Sequence, residues 1–170
     1  EAGRVDTITP EKLIAAKNGG VDRISINPQT MNDETLKKVR RSHDAKMVEE
    51  CFGIARNLGF DNINMDLIAG LPQDSVEGFR DSLEEVLALR PENITVHTLA
   101  MKKGSRLMEE GGALPSGEET GRMVDLSLEA LEGAGYRPYY LYRQKYMSGG
   151  LENVSWCLPG TENHCNTIRS

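Results

Sequence analysis

Residues 62–74 read Asn62-Ile63-Asn64-Met65-Asp66-Leu67-Ile68-Ala69-Gly70-Leu71-Pro72-Gln73-Asp74, and this stretch decides the fold. Asn62, Asn64 and Asp66 are polar, while Ile63, Met65 and Leu67 are apolar. A period of two marks a strand with unlike faces. Ala69-Gly70-Leu71-Pro72 breaks the alternation, and Ser75 opens a helix-like run. In α/β folds, chemistry gathers where strands end beside such loops, which makes Asp66 a candidate functional carboxylate.

The same template recurs on either side. Gly20-Val21-Asp22-Arg23-Ile24-Ser25-Ile26-Asn27 aligns with Gly59-Phe60-Asp61-Asn62-Ile63-Asn64-Met65-Asp66, and Glu92-Asn93-Ile94-Thr95-Val96-His97 fits it too. Strand, loop and helix recur about every 30 to 40 residues, the rhythm of βα units in a parallel sheet. Right-handed crossovers set such strands side by side. The sequence predicts a helix after Thr9-Pro10-Glu11 that stops at Gly19-Gly20, and a strand Val21–Ile26 ended by Pro28. It predicts helices from Asn32 through Arg40 and from Ala45 to Leu58, a strand Asn62–Ile68, and a helix from Ser75 to about Leu89. A strand Asn93–Thr98, a helix Ser116–Leu131 and a short strand Tyr139–Tyr142 follow; beyond Met147 the chain reads as a Gly-rich loop.

Helices must cover one face of these strands, and Ile24, Ile26, Ile63, Met65, Leu67, Ile94 and Val96 supply an apolar one. The other face carries Ser25, Asn27, Asn64, Asp66, Thr95 and His97. A filled barrel would put Val, Ile and Leu there. Unpartnered buried polar groups cost about 1–3 kcal/mol each, so the polar face lines a wet or ligand-filled cavity, or else an open sheet facing water.

Several side chains on this framework could carry chemistry. Asp66 can accept hydrogen bonds from ribose hydroxyls or an amine, or it can cap the neighbouring loop. Gln29 follows the first strand and offers both a donor and an acceptor. Arg41, within Arg40-Arg41-Ser42-His43-Asp44, can clamp a carboxylate with two hydrogen bonds or simply face solvent. His97, on the polar face, can bind or transfer a proton. All five tyrosines lie in Tyr136-Arg137-Pro138-Tyr139-Tyr140-Leu141-Tyr142-Arg143-Gln144-Lys145-Tyr146. Tyr140, Tyr142 and Arg143 there suit a flat polyanionic ligand; alternatively the tyrosines pack on the barrel.

Composition bounds the reading. The 170 residues are 38% hydrophobic and 27% charged, enough for one ordinary domain with a core. A net charge of −6 argues against a general nucleic-acid binder. Cys51, Cys157 and Cys165 give no disulfide framework, suit a reducing cytoplasm, and match neither zinc nor iron–sulfur spacing, so no metal ligand set is expected within the chain. No signal peptide or spanning apolar run is found, and no membrane partner is expected. The start at Glu1 rather than Met, apparently at a strand end, suggests a fragment.

Taken together, the runs INPQTMND, RRSHD, NINMDLIAGLPQDS and VHTLAMKKGSRL resemble the radical S-adenosylmethionine enzymes known as oxygen-independent coproporphyrinogen III oxidases (dehydrogenases). The later YYLYRQKYMSGGLENVSWCLPGTE resembles the region after the barrel in the same family, nearest its Gram-positive branch. The resemblance runs from Glu1 to about Glu162. It implies a partial parallel (β/α) barrel, here an incomplete half-barrel over residues 1–135, with a Tyr-rich post-barrel segment over residues 136–170. It implies oxidative decarboxylation of coproporphyrinogen III to protoporphyrinogen IX in haem synthesis, with S-adenosylmethionine and a [4Fe-4S] cluster as cofactors.

Residue by residue, the resemblance assigns cofactor contacts to Glu1, Gln29, Arg41, Asp66 and Ala100. It names no catalytic residue in this chain. The family's cysteine triad and the glycine-rich segment that holds the methionyl amine belong before Glu1, so the segment alone is expected to be inactive and to expose unpaired strand edges. An electron donor, a cytoplasmic setting and a monomeric full-length protein are the remaining expectations. A haem-binding chaperone on the same scaffold is the alternative. A sugar-phosphate barrel would need a late glycine-rich phosphate loop, which the sequence lacks.

Overall fold

The computed structural model describes residues 3–99, 113–142 and 152–163. β1 (Arg23–Gln29), β2 (Asn62–Ala69) and β3 (Asn93–Thr98) lie side by side and parallel, as the repeat predicts. Their register sets Ile24 beside Ile63 and Met65 beside Ile94. These side chains, with Ile26, Leu67 and Val96, are buried in one core with the apolar sides of the helices. Each such burial stabilises the fold by about 1.5–3 kcal/mol.

The helices begin where the sequence provides a cap. Thr9 Oγ1 accepts from the Lys12 N–H at the start of α1 (Pro10–Asn18), and Asn32 caps α2 (Asp33–Lys38). Asp44 caps α3 (Ala45–Asn57), and Ser75 caps α4 (Val76–Leu89). Ser116 and Glu119 close a reciprocal capping box at α5 (Gly117–Gly133).

Three expectations are corrected. α2 stops at Lys38 rather than running through Arg40. Arg40 turns left-handed at φ 57°, and the Arg41 N–H reaches back to the Leu36 carbonyl at 2.9 Å. That is a helix-ending cap built on a non-glycine residue. Pro28 does not end β1: it sits in a bulge. The register jumps between Ile26, opposite Met65, and Gln29, opposite Leu67, so the proline's missing N–H is accommodated and Gln29 is carried forward at φ 69°.

The third correction is the largest. The segment after Met147 is not all loop: β5 (Asn153–Cys157) is a strand with every residue buried. It runs antiparallel between β3 and β4 (Arg137–Tyr142), giving the sheet order β1-β2-β3-β5-β4 among the described residues. Trp156 is fully buried opposite Ile94 and Pro138, which anchors β5 in that slot.

Candidate functional site

The polar sides of these strands form a connected surface. Across the middle of the sheet, Asn64 Nδ2 reaches Ser25 Oγ at 3.4 Å, Thr95 Oγ1 donates to Asn64 Oδ1 at 3.1 Å, and the Thr95 and Ser155 hydroxyls meet at 3.2 Å. This ladder satisfies groups that would otherwise be costly to bury.

Asp66 stands toward the carboxyl end of β2, where the alternation aims it away from the apolar core. Its Oδ1 accepts from Asn64 Nδ2 at 2.6 Å, and its Oδ2 faces His97 Nε2 at 3.4 Å. On its other side, His97 Nδ1 is 3.1 Å from the Tyr142 hydroxyl. Burial, followed by the nearby Asp66 carboxylate, pushes the Tyr142 phenol above its usual range, so it stays protonated and able to donate. Asp66 and His97 form a shared wall between two cavities. One, of about 290 Å³, is lined by Arg23, Asn64, Tyr140 and Tyr142; the other, of about 300 Å³, by Asn27, Gln29, Thr98 and Asn153.

The β1 bulge delivers Gln29 to the second cavity, and the left-handed end of α2 delivers Arg41 to Gln29. Arg41 Nε donates to Gln29 Oε1 at 2.8 Å. Burial, then the neighbouring Arg4 charge, lowers the Arg41 pKa, yet a guanidinium stays cationic at any physiological pH. Arg41, Gln29, Asn27 and Arg4 line a third cavity of about 350 Å³ that shares Asn27 and Gln29 with the second. Gln29, Arg41 and Asp66 thus border a run of neighbouring cavities that share lining residues. Tyr140 lies beside Tyr142, with ring centroids 5.7 Å apart. Glu1, Ala100 and Arg143 lie outside the described residues.

Two observations bear on what the run of cavities holds. Asn27 Oδ1 and Thr98 Oγ1 are buried with no hydrogen-bond partner among the described residues, and both residues line the second cavity. A hydroxyl- and amine-bearing ligand would satisfy such atoms. Among the described residues, no three His, Cys, Asp or Glu side chains converge to hold a metal ion. Cys51 is buried in α3 and Cys157 in β5, and neither is disulfide-bonded. These described residues therefore fit a polar organic ligand and not an iron–sulfur cluster.

Sequence reasoning missed Asn153, whose Oδ1 accepts from the Thr98 N–H at 2.8 Å at the cavity edge. The alternation of Asn153, Ser155 and Cys157 with Val154 and Trp156 carried the signal, but neighbouring glycines masked it.

The sequence matches the Radical SAM superfamily over residues 2–86. It is 46% identical over 170 residues to the oxygen-independent coproporphyrinogen-III oxidase-like protein HemZ of Bacillus subtilis, covering 99% of this chain and 34% of that protein. It is 32% identical to the heme chaperone HemW of Bacillus subtilis, covering 87% of this chain and 40% of HemW. It is 34% identical to an oxygen-independent coproporphyrinogen III oxidase of Helicobacter pylori, covering 76% and 29%. The chain thus spans about a third of the length of these curated relatives. The structure of the radical SAM enzyme HemN, coproporphyrinogen III oxidase from Escherichia coli, superposes with a TM-score of 0.78 at 22% identity, over 98% of this chain and 36% of HemN. That likeness identifies the mixed sheet as part of a radical SAM barrel. With half its length matched by the superfamily, its parallel βα units in that barrel and its haem-related relatives, this chain belongs to the radical SAM superfamily.

Proposed function

We propose that this chain supplies part of the S-adenosylmethionine site of a protein that oxidatively decarboxylates coproporphyrinogen III to protoporphyrinogen IX. The observation that carries this reading is the convergence of the Arg41–Gln29 pair and the Asp66 carboxylate on one run of cavities beside the parallel strands. Arg41 presents a guanidinium fork suited to the methionyl carboxylate. Gln29 Oε1 orients that fork and leaves its own amide N–H groups for the ligand. Asp66 accepts from ribose hydroxyls, while Asn27 and Thr98 offer polar atoms to the rest of the nucleoside. Glu1 and Ala100 complete the proposed contacts. Bound S-adenosylmethionine supplies, on reductive cleavage, the carbon radical that removes hydrogen from a propionate side chain.

The tyrosine-lined cavity then takes the tetrapyrrole side, with Tyr140 and Tyr142 as phenol donors and Arg143 as a cation for its carboxylates. The [4Fe-4S] cluster, its electron donor, the cytoplasmic setting and a monomeric state belong to the same proposal for the protein carrying this chain. Likewise, residues 1–135 form the barrel portion and 136–170 the post-barrel segment. No helix among the described residues is long and apolar enough to cross a membrane. The identity to HemW supports a second reading, a haem-binding chaperone on the same scaffold.

The test is calorimetric titration of the protein carrying this chain with S-adenosylhomocysteine. Arg41→Lys loses the Nε donor and the fork, and Asp66→Asn loses the charge; each is expected to weaken binding roughly tenfold or more. Unchanged affinity in both variants defeats the proposed site. Conversion of coproporphyrinogen III by the cluster-loaded protein supports the oxidase reading. Stoichiometric haem binding without turnover replaces it with the chaperone.

A further inference from the structure

Asp66 is held on two sides. Asn64 Nδ2 occupies Oδ1 at 2.6 Å, and His97 Nε2 faces Oδ2 at 3.4 Å. A carboxylate has about four lone-pair positions, so two remain open. The carboxylate also lines the second cavity. Which way those lone pairs point depends on rotation of the carboxylate about its last bond, a soft torsion unless both oxygens are tethered. His97 supplies the second tether only while Nε2 carries a proton. A Tyr142 hydroxyl that donates to Nδ1, 3.1 Å away, selects the neutral tautomer with its proton on Nε2. The Tyr142 ring also stands edge-on to the imidazole, at 72° with centroids 6.3 Å apart, which limits imidazole rotation.

We propose that His97, set by Tyr142, is a positioning residue that holds the Asp66 carboxylate in the orientation able to accept from two adjacent hydroxyls, and so makes the site selective for a ribose over a deoxyribose. This rests on the reading of Asp66 as the ribose acceptor. The chain of contacts runs from β4 through β3 to β2, so the Tyr142 strand helps to set selectivity in a cavity that Tyr142 does not line.

The experiment compares S-adenosylhomocysteine with its 2′-deoxyribose analogue by calorimetry in the protein carrying this chain. The wild type is expected to prefer the ribose ligand roughly tenfold, the scale of one hydrogen bond to a charged group. His97→Phe is expected to cut the preference to about threefold or less, mainly by weakening the ribose ligand. His97→Gln, whose amide N–H can replace Nε2–H, restores most of it. Tyr142→Phe, which frees Nδ1 to take the proton, lowers the preference in the same direction. A merely structural role for His97 would weaken both ligands equally and leave the ratio intact. That result overturns the inference while leaving the Asp66 reading standing. If the wild type binds neither ligand, the ribose reading falls and the inference with it. Should His97→Phe fail to fold, the ratio in His97→Gln and Tyr142→Phe decides the matter.

Discussion

Cys51 lies inside α3 among core side chains, and burial pushes its thiol up to about 11. Cys157 in β5 is likewise raised to about 11, first by burial and then by Glu162. Burial, then Glu92, raises Tyr136 to about 12, and its hydroxyl donates to the Pro91 carbonyl at 2.5 Å. In each case the folded state holds the proton more tightly than the unfolded chain. Stability is therefore complete below the unfolded values, about 8.5 for a thiol and about 10 for a phenol, and is lost as pH rises through the folded ones. The urea midpoint of the protein should fall between about pH 8.5 and pH 11. In Cys51→Ala the midpoint should start lower, because a buried group is removed, but decline less steeply with pH. Circular dichroism across that range checks this; parallel curves for the two proteins would mean that Cys51 does not contribute.

At the scale of elements, the contact between β2 and α5 turns on one glycine. Gly70 follows β2 at φ +86°, and a Cβ built there would lie 3.1 Å from both Cγ2 and Oγ1 of Thr120 on α5. Gly160 has nearly the same backbone, φ +87°, with nothing within 4 Å. Gly160→Ala should therefore cost only the left-handed penalty, about 1 kcal/mol, whereas Gly70→Ala adds the displacement of α5 and should cost about 2–3 kcal/mol. Equal losses in denaturant titrations would show that α5 yields freely. The Gly-Leu-Pro break after β2 was legible as a turn, but the helix pressed against it was not, because that neighbour begins some way along the chain.

For the whole molecule, the run of cavities along one side of the sheet makes stability depend on what fills it. A ligand that binds only the folded state adds about 2.7 kcal/mol at a hundred times its Kd. For a protein about three times the length of this chain, as its relatives are, each kcal/mol moves the melting point by about 1 °C. S-adenosylhomocysteine at that excess should thus raise the Tm of the protein carrying this chain by about 2–3 °C. Arg41→Lys should abolish most of that rise at the same ligand concentration, because the added stability depends on the ratio of ligand to Kd. A rise of equal size in Arg41→Lys would place the ligand elsewhere.

The sequence by itself determined the three parallel units, their apolar and polar sides, and the caps at Thr9 and Asn32. Alternation with a period of two and a capping residue beside its own helix are local properties, written within a few neighbouring positions. It also singled out Asp66, Gln29 and His97 from the strand pattern, whereas Arg41, between α2 and α3, drew its role from the family resemblance. Tertiary structure alone decided that β5 enters the sheet between β3 and β4, because five short residues flanked by glycines carry too little period to announce a strand. It alone decided that the bulge at Pro28 brings Gln29 to Arg41, twelve residues on, and that Tyr142 meets His97 across 45 residues. Those contacts follow from strand order and register, which no single segment specifies.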